Sequence, residues 1–169
     1  MKNNKGITLI SLIITIVVLL ILTGIAINYG TETIKNAKLE TLKTNMMLIK
    51  AKTMEYVEEA NFKAGTSGQL KDGDNIKTEV ANELKGELIP QSSNTYSFIN
   101  YSESEGQYLY NVNGILSDIG LKDVEIDSSK DEKYLVVYDI SNAKVEVYNT
   151  IGFKIEGNLI HDLTTLQEQ

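Results

Sequence analysis

Ile7 to Ile27 reads ITLISLIITIVVLLILTGIAI, twenty-one residues without a charged side chain. At roughly 1.5 Å per residue such a run makes a helix about 31 Å long. A bilayer hydrocarbon core of about 30 Å takes roughly twenty apolar residues to cross. Four hydroxyls interrupt the run, on Thr8, Ser11, Thr15 and Thr23. They are compatible with lipid because each can bond back to a carbonyl of its own helix. The stretch has the length and the composition to span a membrane.

Three ordinary readings compete for it. A secretory signal peptide would use Lys2 and Lys5 as its basic start and Gly24 and Ala26 as a small-x-small cleavage site before Ile27. Its apolar core, however, would exceed the roughly 7–15 residues usual for such peptides. A plain signal anchor fits the length. A core helix of a soluble domain fits poorly, because the rest of the chain is too small to surround a helix that is apolar on every side.

The flanking residues separate these readings. Lys5-Gly6 stands before the run, Ile7 opens it, and Thr8-Leu9-Ile10-Ser11 follows. This resembles the type IV prepilin family, including the pseudopilins of type II secretion and of competence systems. Its signature is a short basic leader ending in Gly, then an apolar residue, then Thr-Leu-(Ile/Val/Leu)-Glu. The resemblance implies a leader of residues 1–6, cut between Gly6 and Ile7 by a prepilin peptidase on the cytoplasmic face, and N-methylation of Ile7. It also implies partners: the membrane, an assembly platform and other pilin or pseudopilin subunits. Charge does not orient the span by itself, since Lys2 and Lys5 lie on one side and Lys35, Lys38 and Lys43 near the other. The resemblance places the N-terminus in the cytoplasm and the C-terminal domain outside it, first at the cytoplasmic membrane and then on a pilus or the cell surface.

Ser11 departs from the pattern. The family places Glu at the fifth residue of the mature chain, where it pairs with the terminal ammonium of a neighbouring subunit. A charge in lipid without a partner is expensive, and a facing carboxylate offsets that expense. Ser11 offers a hydroxyl and no charge, which points to a minor or tip subunit or to a subfamily that tolerates the change.

Beyond the span, residues 28–62 contain no proline and a single glycine, Gly30. Leu39, Leu42, Met46, Ile49, Val57 and Ala60 recur in steps of three and four with Thr53 filling the gap, so they draw one stripe along a helix. The spacing predicts that the helix continues to Phe62, one face turned toward a domain. Gly24 and Gly30 each weaken it by about 1 kcal/mol relative to Ala.

The second half begins at Lys63-Ala64-Gly65-Thr66-Ser67-Gly68, a loop signal. Asp74 or Asn75 is placed to cap a short helix ending near Leu84, before Gly86 and Pro90. Strands are expected at Tyr96–Ile99 and Tyr108–Tyr110, a short helix over Ile115–Leu121, and a hairpin of Lys133–Tyr138 with Lys144–Tyr148 across Asp139–Ala143. Phe153–Glu156 adds a candidate edge strand.

Composition narrows the chemistry. The 169-residue chain has a formal net charge of −7, no arginine and no cysteine. An acidic surface without arginine argues against nucleic acid as a partner. The lack of cysteine excludes disulfides, thiolate metal sites and thiol nucleophiles. No phosphate loop, dinucleotide fingerprint, zinc-protease or nucleophile-elbow motif occurs. His161 reads as a surface histidine. Asp72-Gly73-Asp74-Asn75 fails the EF-hand pattern at Ile76 and Lys77. Asp123, Glu125, Asp127, Asp131 and Glu132 read as a solvated acidic loop. The nine tyrosines fall mainly in the strand region, where aromatics suit a pleated surface. An exposed patch of them would instead be adhesive.

The expected fold is α+β and pilin-like. A long N-terminal helix, transmembrane in its first half, packs on a small antiparallel sheet. Residues 1–6 are the leader, 7–27 the span, 28–62 the amphipathic continuation and 63–169 the extracytoplasmic domain. The expected function is that of a membrane-anchored subunit assembled into a pilus or pseudopilus after leader cleavage. No catalytic residue, metal or cofactor is expected. The alternative is a single-span anchored binding module that never assembles.

Overall fold

The computed structural model describes residues 5–66, 73–120 and 132–168; within its helices, the side chains of residues 5–11, 24–30, 64–66 and 73–75 lie outside that description. The chain divides into two compact units, Met1–Glu40 and Thr41–Gln169. One helix, α1, runs Lys5–Thr66 and is helical through Gly24 and Gly30 as well as past Phe62. The short helix expected near Leu84 is α2, Gly73–Glu83.

Five strands follow: β1 Glu87–Ile89, β2 Gln107–Asn111, β3 Tyr134–Asp139, β4 Lys144–Ile155 and β5 Asn158–Asp162, with a short helix α3 at Leu163–Gln167. They form one sheet in the order β1-β2-β3-β4-β5, every neighbouring pair antiparallel. This is the α+β, pilin-like arrangement of a long helix packed on a small antiparallel sheet. Local chemistry sets each turn. After β3, Asp139 accepts from the Asn142 backbone N–H and the Asn142 side-chain amide, both at 2.9 Å. Between β4 and β5, Glu156 and Gly157 both take positive φ, 49° and 93°, as a two-residue hairpin turn of the I′ kind requires.

The sheet is covered on both faces. α1 buries the predicted stripe: Leu42, Met46, Ile49, Thr53 and Ala60 are fully buried and Val57 nearly so, while Leu39 is half-buried. The stripe faces the side of the sheet that carries Tyr134, Val136 and Tyr138, alternate residues of β3. The Asn61 side chain donates to the Tyr138 hydroxyl at 3.0 Å across this contact. α2 adds Val80 and Leu84, both fully buried, and its Lys77 carbonyl accepts from the Tyr110 hydroxyl at 3.2 Å. On the opposite face Leu109, Leu135, Val137 and Tyr148 pack with Ile99 and Tyr101, closed over by Ile89, Tyr96 and Phe98.

That second cluster corrects one expectation. Tyr96–Ile99 is not a strand. The Asn94 side chain accepts from the Tyr96 N–H at 2.9 Å, and the Ile99 N–H bonds to the Tyr96 carbonyl at 3.1 Å. The segment therefore curls into a turn that still delivers its apolar side chains to the core. Phe153–Glu156 is likewise no separate edge strand: Phe153 to Ile155 close a twelve-residue β4, and the edge is β5. The Ile115–Leu121 helix shrinks to a single 3₁₀ turn at Asn113–Ile115 followed by turns to Gly120, and Leu121 lies outside the described residues.

Candidate functional site

The feature that asks for a partner is the surface of α1. Every apolar side chain described from Leu12 to Leu22 is exposed, between 47% and 67%. Contiguous apolar surface of this kind marks a site that another molecule or a lipid phase covers. Thr15 and Thr23 donate back to the Leu12 and Leu19 carbonyls at 2.8 and 2.7 Å, the arrangement that lets a hydroxyl sit in apolar surroundings. Among the described residues no helix is long and apolar enough to cross a membrane. The described side chains here cover residues 12–23, and the apolar sequence 7–27 runs past them on both sides.

Lys5, Gly6, Ile7, Thr8, Leu9, Ile10 and Ser11 are the first residues of α1, with helical backbone. Their side chains lie outside the description, as do Met1 to Asn4 entirely. Farther along, Met47, Leu48 and Met54 are 43%, 43% and 40% exposed, and Ala51 is exposed beside them. At 100° per residue, positions 47, 51 and 54 share a line on the side opposite the buried stripe. The helix is apolar toward the sheet and partly apolar away from it.

Charges flank this outer face in closed local sets. Lys52 pairs with Glu55 at 2.7 Å and lies 4.5 Å over the Tyr56 ring. Lys63 reaches Glu59 at 3.1 Å and Glu83 at 2.5 Å, tying α1 to α2. Asp118 accepts from Lys85 Nζ and from the Tyr56 hydroxyl, each at 2.8 Å. Lys85 first and Tyr56 second hold its carboxyl below the usual carboxylate range.

Of His161, Asp72, Asp74, Asp123, Glu125, Asp127, Asp131 and Glu132, only His161 and Glu132 have described side chains. His161 is half-buried rather than a surface histidine. Its ring stacks on Phe98 with centroids 3.7 Å apart and planes 7° from parallel, and its Nδ1 donates to the Asn149 carbonyl at 2.9 Å. Asp123, Glu125, Asp127 and Asp131 lie outside the described residues, whereas Glu132 accepts from the Asn149 amide at 2.6 Å. Among the described residues no group of three or more His, Cys, Asp or Glu side chains could hold a metal ion. The capping side chains of Asp74 and Asn75 lie outside the description. Of the tyrosines, Tyr101, Tyr110, Tyr134, Tyr138 and Tyr148 are buried, so they are packing residues and not an adhesive patch.

One junction escaped sequence reasoning. Asn149 is fully buried in the middle of β4. Its side-chain oxygen accepts from the Ile151 and Gly152 N–H groups at 3.0 and 2.9 Å, and its carbonyl takes His161. The register between β4 and β5 shifts between Tyr148 and Phe153. An Asn followed three residues later by Gly within a strand-like run is the available signal for such a bulge.

Compared with known families, residues 1–27 match the prokaryotic N-terminal methylation motif, the prepilin-type signature of type IV pilins and pseudopilins. No curated protein and no solved structure matches the chain.

Proposed function

We propose that the chain is a pilin or pseudopilin subunit that works by assembly and catalyses no reaction. The observation that carries this reading is the methylation motif at residues 1–27, placed on a helix whose described apolar residues from Leu12 to Leu22 are all exposed. As a prepilin the protein waits in the cytoplasmic membrane with residues 7–27 across the bilayer, Lys2 and Lys5 inside and the sheet domain outside. Prepilin peptidase cuts between Gly6 and Ile7, and Ile7 becomes the methylated N-terminus. An assembly platform then draws the subunit from the lipid. The apolar half of α1 exchanges lipid for neighbouring helices, a contact driven by packing and not by the hydrophobic effect, because lipid is as apolar as the helices. In the unit Thr41–Gln169, the exposed Met47, Leu48, Ala51 and Met54 offer a separate apolar face to neighbouring subunits.

Ser11 makes this a minor or tip subunit, since a subunit with no neighbour above it needs no carboxylate for that neighbour's ammonium. Intact mass and N-terminal sequencing of the protein from its native membrane test the reading. A chain beginning at Ile7 is the expected result. A chain still beginning at Met1 would replace the reading with a plain anchor, and one beginning at Ile27 with an exported soluble domain.

A further inference from the structure

Asn113-Gly114 is the one Asn-Gly step among the fifteen asparagines of the chain. Such steps deamidate without an enzyme. The nitrogen of the following residue attacks the side-chain carbonyl carbon, and a glycine, with no side chain and a freely turning backbone, does little to hinder that approach. The local sequence therefore marks Asn113 as reactive, and the fold decides whether the reaction runs.

The fold commits both ends of the Asn113 amide to the start of β3. Its side-chain oxygen accepts from the Tyr134 N–H at 2.9 Å, and its Nδ2 donates to the Glu132 carbonyl at 3.4 Å. Its own N–H donates to the Asn111 side-chain oxygen at 3.1 Å, and the Val112 N–H donates to the Tyr134 carbonyl at 3.0 Å. On the other side the step lies against the turn after α2. A Cβ on Gly114 would collide with the Lys85 carbonyl, and one on Gly86 with the Asn111 carbonyl. Val112 and Ile115, which bracket the step, are fully buried. For the reaction to start, the Asn113 side chain must leave β3 for the Gly114 nitrogen, and the 3₁₀ turn Asn113–Ile115 must open. Both movements break the closed junction.

We propose that Asn113 is a modification site gated by the fold, deamidating when the β2–β3 junction opens and protected while it is closed. The Gly114 nitrogen bonds to Asn113 Cγ, the Cγ–Nδ2 bond breaks, and the side-chain nitrogen leaves as ammonia with the Gly114 amide proton. Water then opens the cyclic imide at either carbonyl, giving an aspartate or an isoaspartate at this position. Neither product suits the closed junction. An aspartate sets a carboxylate oxygen where Nδ2 had donated to the Glu132 carbonyl, so two acceptors face each other. An isoaspartate lengthens the main chain beside the Lys85 carbonyl, where there is no room even for a Cβ. A chain that has opened and reacted is thus marked for good. The site lies within Thr41–Gln169, and it stands whether or not the chain assembles.

The test holds the full chain in detergent micelles at mildly alkaline pH, with and without urea, and locates deamidation by peptide mass mapping. Asn113 should react in urea and at least about tenfold more slowly in the folded chain, because modification of an opened state follows its population. Equal rates overturn the gate, and no reaction at Asn113 in urea overturns the site itself. Reacted chains are then returned to native buffer, where they should melt several degrees below wild type; melting together with wild type overturns the misfit of the products. Should unreacted chains also fail to refold from urea, a directly expressed Asn113→Asp chain supplies that arm. It should melt several degrees lower than wild type, and an unchanged melting temperature overturns the misfit in the same way.

Discussion

The Tyr56 hydroxyl donates to Asp118 at 2.8 Å, fastening α1 to a turn that lies sixty-two residues later in the chain. Lys85 reaches the same carboxylate oxygen at 2.8 Å from the turn after α2. One side chain therefore ties three segments together at the surface. Because Lys85 and Tyr56 hold the Asp118 carboxyl below its ordinary value, the tie has a defined pH dependence. A carboxyl with a depressed folded pKa stabilises the fold above its unfolded pKa of about 3.9, and the contribution is lost as pH falls through the folded value. Asp118→Asn should lower the melting temperature slightly at pH 7. The difference from wild type should shrink to nothing as melts are repeated below pH 4. A difference that persists in acid would mean that the carboxylate charge is not what matters.

The buried tyrosines set the opposite limit. Burial, with Glu103 adding a little, pushes the Tyr101 hydroxyl up to about 12, and burial likewise pushes Tyr110, Tyr134 and Tyr148 up. A raised folded pKa leaves its stabilisation intact below the unfolded value of about 10, and that stabilisation is lost as pH rises through the folded one. Stability should fall steeply between about pH 10 and pH 12. The tyrosinate absorbance of these four phenols should rise only as circular dichroism reports unfolding. A single smooth titration near 10, with the fold intact, would show that they are not enclosed.

Met46 and Met47 are neighbours in sequence with opposite surroundings. Met46 is fully buried and Met47 is 43% exposed. Met46→Ala should cost about 2–5 kcal/mol by urea unfolding, whereas Met47→Glu should stay within about 0.5 kcal/mol of wild type. If the outer face of α1 meets neighbouring subunits, Met47→Glu should also reduce the amount of the chain recovered in sheared filaments. Equal recovery would leave that face without an assembly role.

Gly152 takes a φ of +70°, and a Cβ there would come within 2.8 Å of both His161 Nδ1 and the Ile160 carbonyl oxygen. Gly152→Ala should therefore destabilise by about 1–3 kcal/mol. The injury should be local. Loss of the His161 stack on Phe98 would show as shifted ring resonances, and an unshifted spectrum would show that the β4–β5 bulge absorbs the methyl group.

The long elements were readable before the structure, and the reasons are physical. The stripe from Leu42 to Ala60 persists over five turns, longer than chance spacing sustains, so its buried face could be named residue by residue. Tyr134 to Tyr138 and Val145 to Tyr148 are dense in β-branched and aromatic residues and flank a turn rich in Asp, Ser and Asn. What stayed hidden was short or broken. β1 has three residues, and β5 begins with two exposed positions. The length of β4 is masked by Asn149 and Gly152, which look like a turn and serve as a bulge. Tyr96 to Ile99 has strand composition, but Asn94 captures its backbone first. His161 shows the same limit in the candidate site: its partner Phe98 is distant in sequence, and nothing in the local sequence around His161 announces a stack. At Lys5 to Ser11 the information ran the other way: the methylation motif is read from the residue order alone, and no side-chain geometry is needed to see it.

Ser11 is where that motif and this chain part, and the difference can be tested directly. If the filament core requires a carboxylate to face the neighbour's terminal ammonium, Ser11→Glu restores a charge pair that the wild-type chain cannot form. In a low-dielectric core such a pair is strongly favoured over an ammonium alone. Incorporation of the chain along filaments should rise several-fold, and its methylation, read by intact mass, should become complete. The exposed domain should melt at the same temperature, since the substitution lies in the other unit of the chain, Met1–Glu40. An unchanged yield in filaments would mean that the Ser11 hydroxyl already satisfies its neighbour. The minor or tip assignment, which rests on the missing charge, would then lose its physical basis, while the proposed cleavage after Gly6, which rests on the motif, would be unaffected.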